Sequence, residues 1–324
     1  MNAIRMSAHG GPEVMVHTSV PTPEPGPGEA LVRVEAAGVN FIDTYQRAGH
    51  YAIPLPATPG SEAAGTVVAV GEGVTSVRIG ERVAYQGVLG AYAEFASVPA
   101  PRLAPLPDAI TTRQGAAAML QGMTAHYLTV STFPLRPGHV CLVHAAAGGV
   151  GLLLCQMARR RGARVIGTAS TPEKAALARE AGADHVILYT ERDFETDARA
   201  MTNGAGVDVV YDSVGRTTFD KSLACLKARG MMVLFGQASG AVPPVDPQVL
   251  NRLGSLFLTR PSLHHHVATR DELLWRSGEV LGWVADGTLR LRVGLELPLA
   301  QAAEAHRRLE ARATTGKVLM IPWT

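Results

Sequence analysis

The segment that decides the fold is HAAAGGVG, residues 144–151. It aligns with the pattern G-x-G-x-x-G, with Ala146 in the first position and Gly148 and Gly151 in the other two. Residues 140–143 predict a buried strand just before it, and residues 149–161 predict a helix just after it. Small residues there let the backbone approach a pyrophosphate, whose charge the free amides of the helix N-terminus stabilise. The segment therefore indicates a dinucleotide-binding turn; the alternative is a small-residue turn that only packs helix against strand.

Strands and helices alternate from about residue 126 onward. The predicted strands are Val140–Val143, Arg164–Thr168, His185–Leu188, Val207–Tyr211 and Met231–Phe235, and the predicted helices are Gly149–Arg161 and Pro172–Ala181. The second helix has clear boundary signals, because Ser170 and Glu173 have the spacing of a capping box, Pro172 falls in the first turn and Gly182 follows the last. The alternation predicts an α/β domain in which helices cover both faces of a parallel sheet.

The regions on either side have a different pattern. The first 125 residues contain short β-rich runs separated by turns rich in proline and glycine, which predicts a β-rich domain. After about residue 262 the predicted elements are two helices, Asp271–Ala285 and Ala300–Ala311, and two strands, Leu289–Val293 and Val318–Ile321. We interpret this tail as a return to the first domain. The prediction is a discontinuous domain of residues 1–125 and 262–324 around a domain of residues 126–261.

The composition argues against several classes of protein. The 324 residues include 30 Lys and Arg and 28 Asp and Glu, a net charge of +2, without the basic block that would favour nucleic acid or an anionic membrane. No run of ~18 apolar residues is present, and the N-terminus lacks the pattern of a secretory signal. The three scattered cysteines predict buried thiols in a reducing compartment rather than disulfides. We expect a cytoplasmic protein.

The residues after the second strand of the α/β domain indicate which dinucleotide binds. An NAD site needs a carboxylate there for the ribose hydroxyls, but residues 168–171 read TAST. Ser170 and, one turn later, Lys174 suit the 2′-phosphate of NADPH, which a carboxylate would repel. The nearby Glu173 is explained by helix capping, and the alternative for Lys174 is an ordinary surface lysine. We predict NADPH as the cofactor.

Six further motifs point to a family. They are GGPEV at residues 10–14, GVNFIDTY at 38–45, GSEAAG at 60–65, GAYAE at 90–94, YDSVG at 211–215 and LTRPSL at 258–263. With the cradle at 144–151, they resemble the medium-chain dehydrogenase/reductase superfamily over nearly the whole chain, and within it the quinone oxidoreductase branch that includes the zeta-crystallins. The resemblance implies a GroES-like β-rich domain, a Rossmann domain with a doubly wound parallel sheet, a cleft between them and a homodimer.

Zinc-dependent members of the superfamily have a catalytic cysteine and a histidine as zinc ligands. By the resemblance, the corresponding positions in this chain are Asn40 and Ser61. Neither an amide nor a hydroxyl is a competent zinc ligand, and Glu62 cannot hold the metal alone. The three adjacent histidines at 264–266 point in different directions on a regular element, so they do not form a metal site by themselves. We therefore predict a zinc-independent NADPH:quinone oxidoreductase that reduces small quinones in the interdomain cleft.

Reduction of a quinone places negative charge on its oxygen, so hydrogen-bond donors near that oxygen lower the barrier. Asn40, Tyr45 and Tyr51 are the candidate donors, and Asp43 is positioned to orient one of them. A core role for Tyr45 and a structural hydrogen-bonding role for Asp43 are the alternatives. The resemblance places Asn40 and Tyr45 at the nicotinamide end of the cleft, with Tyr51 as a further cleft residue.

The resemblance also implies the cofactor contacts. It assigns Ala147, Gly148, Gly149 and Val150 to the pyrophosphate, Ser170 and Lys174 to the 2′-phosphate, Tyr189 to the adenosine, and Phe235, Gly236, Gln237 and Ala238 to the nicotinamide ribose. Thr124, Arg216 and Arg260 are weaker candidates for cofactor contact. Lys317 is weaker still and is left out of the predicted site.

Three alternatives remain open at this point. The same cradle would serve an NADPH-dependent reductase of alkenals or enones, and only the shape of the acceptor pocket would separate the two activities. A crystallin-like or RNA-binding role needs no turnover, but no basic stripe favours it. A zinc alcohol dehydrogenase is opposed by Asn40 and Ser61. The sequence does not identify the acceptor, because the fold does not determine the substrate.

Overall fold

The computed structural model describes residues 1–323. They form two compact units: residues 1–123 together with the chain from 267 onward, and residues 124–266. We refer to these as the first unit and the second unit. The sequence predicts the corresponding boundaries after residues 125 and 261.

The N-terminal part of the chain is mostly β-structure. Its strands are β1 (Asn2–Arg5), β2 (Val16–Ser19), β3 (Glu29–Val39), β4 (Glu62–Val70), β5 (Arg82–Gln86), β6 (Phe95–Pro99) and β7 (Ala104–Pro105). Its helices are α1 (Phe41–Arg47) and α2 (Thr112–Tyr127), and α2 ends in a π-helical turn, Leu128–Thr132. The long strands β3 and β4 are rich in alanine and valine, and most of their side chains are buried.

The second unit alternates strands with helices. The strands are β8 (Val140–Val143), β9 (Arg164–Ala169), β10 (His185–Leu188), β11 (Val207–Asp212), β12 (Leu226–Leu234) and β13 (Phe257–Thr259). The helices are α3 (Gly149–Arg160), α4 (Pro172–Glu180), α5 (Phe194–Met201), α6 (Phe219–Ala224), α7 (Gln248–Arg252) and α8 (Leu263–His266). The chain then returns to the first unit through α9 (Arg270–Ala285), β14 (Val293–Pro298), α10 (Ala302–Glu310) and β15 (Lys317–Ile321).

The sheet of the second unit is parallel throughout, in the order β10-β9-β8-β11-β12-β13. The chain runs outward from β8 through β9 to β10 and then crosses to β11 on the other side of β8. Helices α3 and α4 pack on β8–β10, and α6 packs on β11 and β12. A doubly wound sheet of this kind binds ligands at the carboxyl ends of the strands beside the point where the strand order reverses, which lies here between β8 and β11.

The main sheet of the first unit follows the order β14-β15-β3-β4-β5-β7, and β6 also pairs with β3. All its pairings are antiparallel except β14 with β15. Strand β15 pairs with the end of β3, where Leu319 lies opposite Gly38, and β4 pairs with the other side of β3, where Ala63 lies opposite Ala37. The chain contains a β-rich unit and a unit with a parallel doubly wound sheet, which confirms the predicted fold class.

Two local predictions are wrong. The cap of α4 is Thr171 rather than Ser170, and its hydroxyl accepts a hydrogen bond from the Lys174 amide. Because Pro172 is the first helical residue, the cap must be the residue directly before it. The strand expected at Leu289–Val293 instead begins at Val293, because pairing with β15 runs from Val293 to Pro298.

Candidate functional site

The cradle at residues 144–151 joins the end of β8 to the start of α3. Ala145 has a positive φ of 50°, and the Gly148 amide donates to the Ala145 carbonyl at 2.9 Å, so the chain turns tightly. Gly148 is the extended residue before α3, which begins at Gly149. The amides of the first helical turn have no partner within the helix, so they are available to an anion.

Gly151 shows why this turn requires a glycine. A Cβ built on it would overlap the Ala145 carbonyl oxygen and would lie 2.8 Å from the Ala146 Cα, so no side chain fits without moving the backbone. The Ala146 amide donates to the Thr168 carbonyl at 3.0 Å, which ties the turn to the end of β9. The cradle therefore fits a pyrophosphate by its close helix packing as well as by its sequence.

His144, the first residue of the cradle, cross-links the sheet behind it. Its Nε2 lies 2.9 Å from the Ser222 hydroxyl, which donates to Asp212, so Nε2 carries the proton and donates to Ser222. Its Nδ1 accepts from the Thr168 hydroxyl at 3.1 Å. Burial lowers the pKa of His144, and the charge of Asp212 opposes that shift. The neutral imidazole thus joins the carboxyl ends of β8, β9 and β11.

The predicted 2′-phosphate and adenosine residues follow β9 and β10, which are neighbouring parallel strands. The Thr190 hydroxyl donates to the Ser170 carbonyl at 3.1 Å, and the Tyr189 amide donates to the Ala169 carbonyl at 3.2 Å. The Tyr189 side chain is 38% exposed. Lys174 is half-buried in the first turn of α4. The structure therefore brings Ser170 and Tyr189 together at one edge of the sheet, with Lys174 on the helix that starts there.

The loops after β11 and β12 are packed on one another. Asp212 accepts from the amides of Val214 and Gly215, and its carbonyl accepts from Phe235 and Gly236. A Cβ on Gly236 would lie 2.5 Å from the Ser213 carbonyl oxygen. The predicted residues 235–238 are therefore held at the carboxyl end of β12, on the same edge as the cradle.

Three weaker candidates have different surroundings. The Arg216 Nε donates to the Ala241 carbonyl at 3.1 Å, so this side chain helps to shape the loop after β12. Arg260 is exposed and directly follows β13, at the same carboxyl edge. Thr124 is buried in α2 rather than at the end of a strand.

In the first unit, Asn40 and Asp43 begin helix α1. The Asp43 carboxylate accepts from the backbone N–H of Asn40 at 2.9 Å, which is the reciprocal half of a capping box. It also accepts from the Ser61 hydroxyl at 3.1 Å and from the Tyr92 hydroxyl at 2.9 Å. Burial raises the pKa of Asp43 to about 6 despite these donors. These contacts favour the structural role for Asp43 that the sequence left open.

Asn40 is almost completely buried, and all four hydrogen-bonding positions of its amide are used. Its Oδ1 accepts from the Lys317 ammonium at 2.8 Å and from Gln121 at 3.4 Å. Its Nδ2 donates to Glu62 Oε2 at 2.8 Å and to the Gly38 carbonyl at 3.3 Å. Lys317 also forms an ion pair with Glu62. Sequence reasoning did not place Lys317 and Glu62 in the site, because neither has a local pattern that identifies its partners.

A chain of hydrogen-bonded polar side chains, here called the polar chain, runs from Asp43 to the surface. The Tyr92 hydroxyl lies 3.2 Å from His306 Nε2, and Arg47 Nη1 lies 3.3 Å from His306 Nδ1. Because arginine only donates, Nδ1 is the acceptor and Nε2 carries the proton. Burial, with a smaller effect of Arg47, lowers the pKa of His306 to about 3. Arg47 also binds both carboxylate oxygens of Glu310, at 3.0 and 2.7 Å, so the chain links α1 to α10.

Tyr45 and Tyr51 form an aromatic pair beside α1. Their ring centroids are 5.5 Å apart at an interplanar angle of 75°, and Phe41 lies 6.2 Å from Tyr45. The backbone amide of Tyr51 donates to the Tyr45 carbonyl at 3.2 Å. Tyr45 is half-buried, whereas Tyr51 is 37% exposed, so this edge-to-face pair is partly open to solvent.

The positions corresponding to zinc ligands are occupied by hydrogen-bonded groups. Ser61 donates to Asp43, and the Asn40 side chain bonds both Lys317 and Glu62, whose carboxylate is paired with the Lys317 ammonium group. Within residues 1–323, no three His, Cys, Asp or Glu side chains gather where they could hold a metal ion. Of the three adjacent histidines, His266 stacks on Tyr127 with ring centroids 4.2 Å apart. This donor set does not fit zinc.

Each of the two units contains a match to a known protein family. Residues 26–108 match the alcohol dehydrogenase GroES-like domain, and residues 149–267 match the zinc-binding dehydrogenase family. These two domains in one chain define a medium-chain dehydrogenase/reductase. Across residues 1–323, no helix is both long and apolar enough to cross a membrane.

Individual relatives narrow the assignment. The quinone oxidoreductase of Pseudomonas aeruginosa is 46% identical over 98% of this chain and 99% of its own length, and quinone oxidoreductase 1 of Escherichia coli has the same values. The 2-haloacrylate reductase of a Burkholderia species is 43% identical over 97% of this chain and 96% of its own length. The chain therefore belongs to the quinone oxidoreductase branch of the superfamily, which confirms the resemblance in its motifs.

Solved structures agree with this assignment. The crystal structure of Escherichia coli quinone oxidoreductase complexed with NADPH has a TM-score of 0.97 and 46% identity, covering 99% of this chain and 100% of that one. A mycobacterial protein complexed with NADPH also has a TM-score of 0.97, with 51% identity and the same coverage.

Proposed function

We propose that this protein is an NADPH-dependent quinone oxidoreductase that works without zinc. The cradle carries the proposal: it lies at the switch point of a parallel sheet, and Gly151 leaves no room for a side chain where the backbone must approach a pyrophosphate. Relatives that are 46% identical over nearly the whole chain are quinone oxidoreductases, and one is solved with NADPH. On this proposal the second unit is the cofactor domain and the first unit is the GroES-like catalytic domain.

The residues around the cradle have defined roles in this proposal. The amides of Ala147, Gly148, Gly149 and Val150 bind the pyrophosphate. Ser170 and Lys174 bind the 2′-phosphate, because a hydroxyl and an ammonium favour a dianion and the end of β9 has no carboxylate. Tyr189 packs on the adenosine, and residues 235–238 contact the nicotinamide ribose. Thr124, Arg216 and Arg260 are secondary contacts in the same assignment.

NADPH, when bound, supplies a hydride to the acceptor. The chain's own part is to position the acceptor and to stabilise the negative charge that develops on its oxygen. We assign these tasks to Asn40, Tyr45 and Tyr51. Asn40 Nδ2 donates its longer hydrogen bond, 3.3 Å, to the Gly38 carbonyl. In this proposal a carbonyl oxygen of the acceptor replaces the Gly38 carbonyl as the partner of that N–H. Asp43 anchors this region through the start of α1 rather than reacting itself.

A second candidate function is the reduction of electron-poor carbon–carbon double bonds. The observation that favours this function is the similarity to a 2-haloacrylate reductase, which is 43% identical over 97% of this chain. The cofactor residues would have the same roles, and the difference would lie in which acceptors the enzyme takes. We further propose a homodimer in the cytoplasm, and size-exclusion chromatography with light scattering tests the dimer.

The test is NADPH oxidation with benzoquinone or phenanthrenequinone after exhaustive chelation, run beside NADH and beside an enone. Full activity after chelation with a preference for NADPH is the expected result. Activity that requires added zinc contradicts the metal-free proposal. Turnover of the enone without turnover of either quinone moves the protein to the double-bond reductases.

Lys174→Ala tests the cofactor assignment separately. Loss of a charge-assisted hydrogen bond to the 2′-phosphate should raise KM for NADPH about tenfold, with little change for NADH. Arg179→Ala is the matched control, because it removes a positive charge from the exposed last turn of the same helix. Equal effects of Lys174→Ala on both cofactors would remove Lys174 from the 2′-phosphate site.

A further inference from the structure

Lys317 and Glu62 form an ion pair inside the first unit. Their side chains are 2% and 0% exposed. Two charges lose their hydration at such a position, so a buried ion pair contributes little net stability compared with apolar residues of the same size. Stability alone is therefore a poor reason for this pair, which points to a role in what it holds.

The pair is built from separate parts of the chain that the sheet brings together. Lys317 begins β15, Glu62 begins β4, and both strands flank the end of β3. Gly38 in β3 leaves the space: a Cβ there would overlap the Glu62 carboxylate and would lie 2.7 Å from the Lys317 Nζ. The other oxygen of Glu62 accepts from the Leu120 amide of α2 at 2.6 Å. Both charges are thus held from more than one side.

The Asn40 side-chain amide bonds both members of the ion pair. The two ends of a carboxamide have nearly the same shape, so hydrogen bonds decide which end is oxygen and which is nitrogen. Lys317 can only donate, and it contacts Oδ1 at 2.8 Å; the Glu62 carboxylate accepts from Nδ2 at 2.8 Å. The ion pair therefore permits a single orientation of the Asn40 amide.

We propose that Lys317 is a positioning residue, which together with Glu62 orients the Asn40 amide so that the N–H now bonded to the Gly38 carbonyl, and not Oδ1, is the group that exchanges to the oxygen of the acceptor. This inference rests on the proposed function, in which Asn40 contacts the acceptor. Without the two charges, neither end of the amide is fixed, so it can turn and present its oxygen to a developing negative charge. Misplacing one donor at a reacting centre slows catalysis about tenfold to a hundredfold.

The decisive variant is the double substitution Glu62→Gln with Lys317→Met. Lys317→Met alone leaves a buried carboxylate without its counter-ion and can unfold the unit, whereas the double variant keeps the volume and removes both charges. The matched control is Asp208→Asn with Lys227→Met, which removes an ion pair in the second unit near the amino ends of β11 and β12, away from the proposed cofactor edge.

The measurements are thermal stability and the separate values of kcat and KM with NADPH and benzoquinone. We expect the Glu62/Lys317 double variant to keep a melting temperature near the wild type and KM for NADPH within about twofold, while kcat falls at least about tenfold. The control should keep kcat. Wild-type kcat in a stable double variant would overturn the positioning role and leave the proposed function standing.

Failure of the proposed function has a different signature. The wild-type protein would then not reduce benzoquinone at all, whatever the variants do. If the wild type instead reduces an enone, the same kcat comparison is made with the enone, since Asn40 would face its carbonyl oxygen. A wild type that reduces neither acceptor overturns the function and the inference together.

Discussion

Two tyrosines of the first unit allow the cost of a buried hydroxyl to be measured directly. Tyr85 and Tyr92 are both 0% exposed and belong to the same hydrophobic core. The Tyr92 hydroxyl bonds Asp43 and His306, whereas the Tyr85 hydroxyl has no hydrogen-bond partner among the described residues. The same substitution, tyrosine to phenylalanine, should therefore change stability in opposite directions at the two positions.

The magnitudes follow from what each hydroxyl loses on burial. A buried hydroxyl without a partner costs about 1–3 kcal/mol, and the small cavity left by one oxygen offsets only a few tenths of that, so Tyr85→Phe should stabilise the unit by about 1 kcal/mol or more. Tyr92→Phe instead leaves Asp43 and His306 each short of a partner and should destabilise by about 2–3 kcal/mol.

The assay is thermal unfolding followed by calorimetry, with urea unfolding as the second measurement. For a unit of this size, 1 kcal/mol corresponds to a shift of about 2–4 °C in Tm, upward for Tyr85→Phe and downward for Tyr92→Phe. Both variants should reduce the same acceptors as the wild-type protein. The reasoning is refuted if Tyr85→Phe lowers Tm, because the hydroxyl must then have a partner that stabilises it.

Two further predictions concern a buried acid and the glycine of the cradle. Burial raises the pKa of Asp43 from 3.8 to about 6, so between these values the folded state binds a proton that the unfolded chain has released. Stability should therefore fall by about 3 kcal/mol as the pH rises through this window, and Asp43→Asn should flatten that slope in urea unfolding; an unchanged slope would assign it to other groups. Gly151→Ala should raise KM for NADPH at least about tenfold, because the added Cβ overlaps the Ala145 carbonyl where the backbone approaches the pyrophosphate. Gly278→Ala is its control in α9, where a Cβ meets nothing within 4 Å and should stabilise by about 0.5–1 kcal/mol; equal KM values in the two variants would contradict the cradle.

Local sequence signals were sufficient to predict most strand and helix positions of the second unit that the sequence analysis named. Strands β8 and β10 have the predicted bounds, and α3 begins at Gly149 as expected, because short buried runs and a glycine turn report directly on nearby backbone. The cap of α4 failed because Ser170 and Thr171 both offer a hydroxyl, and only the placement of Pro172 as the first helical residue distinguishes them. The strand at 289–293 failed for a different reason. Apolar residues at 289, 291 and 293 suggest alternation, but the partner strand β15 is long-range and sets the start at Val293.

The sequence predicted the position of those candidate residues that directly follow a strand. Ser170, Tyr189 and residues 235–238 follow strands of one parallel sheet, so their common edge is a consequence of topology. The polar chain from Asp43 through Tyr92, His306 and Arg47 to Glu310 had no such signal. Its members come from the short helix α1, from the loop between β5 and β6 and from the late helix α10, and a buried histidine or tyrosine in a sequence does not identify its partner.

The same limit explains why Lys317 was left outside the predicted site. On sequence alone, a lysine at the start of a final strand resembles a solvated residue at a strand end. Three features at distant positions change that reading: antiparallel pairing sets β15 beside β3, Gly38 lacks the side chain that would fill the space, and Glu62 supplies the opposite charge 255 residues away. Replacing any one of them leaves a buried charge alone or closes the space. Because the structure retains this costly arrangement around one amide, the orientation of Asn40 is the property that best accounts for it.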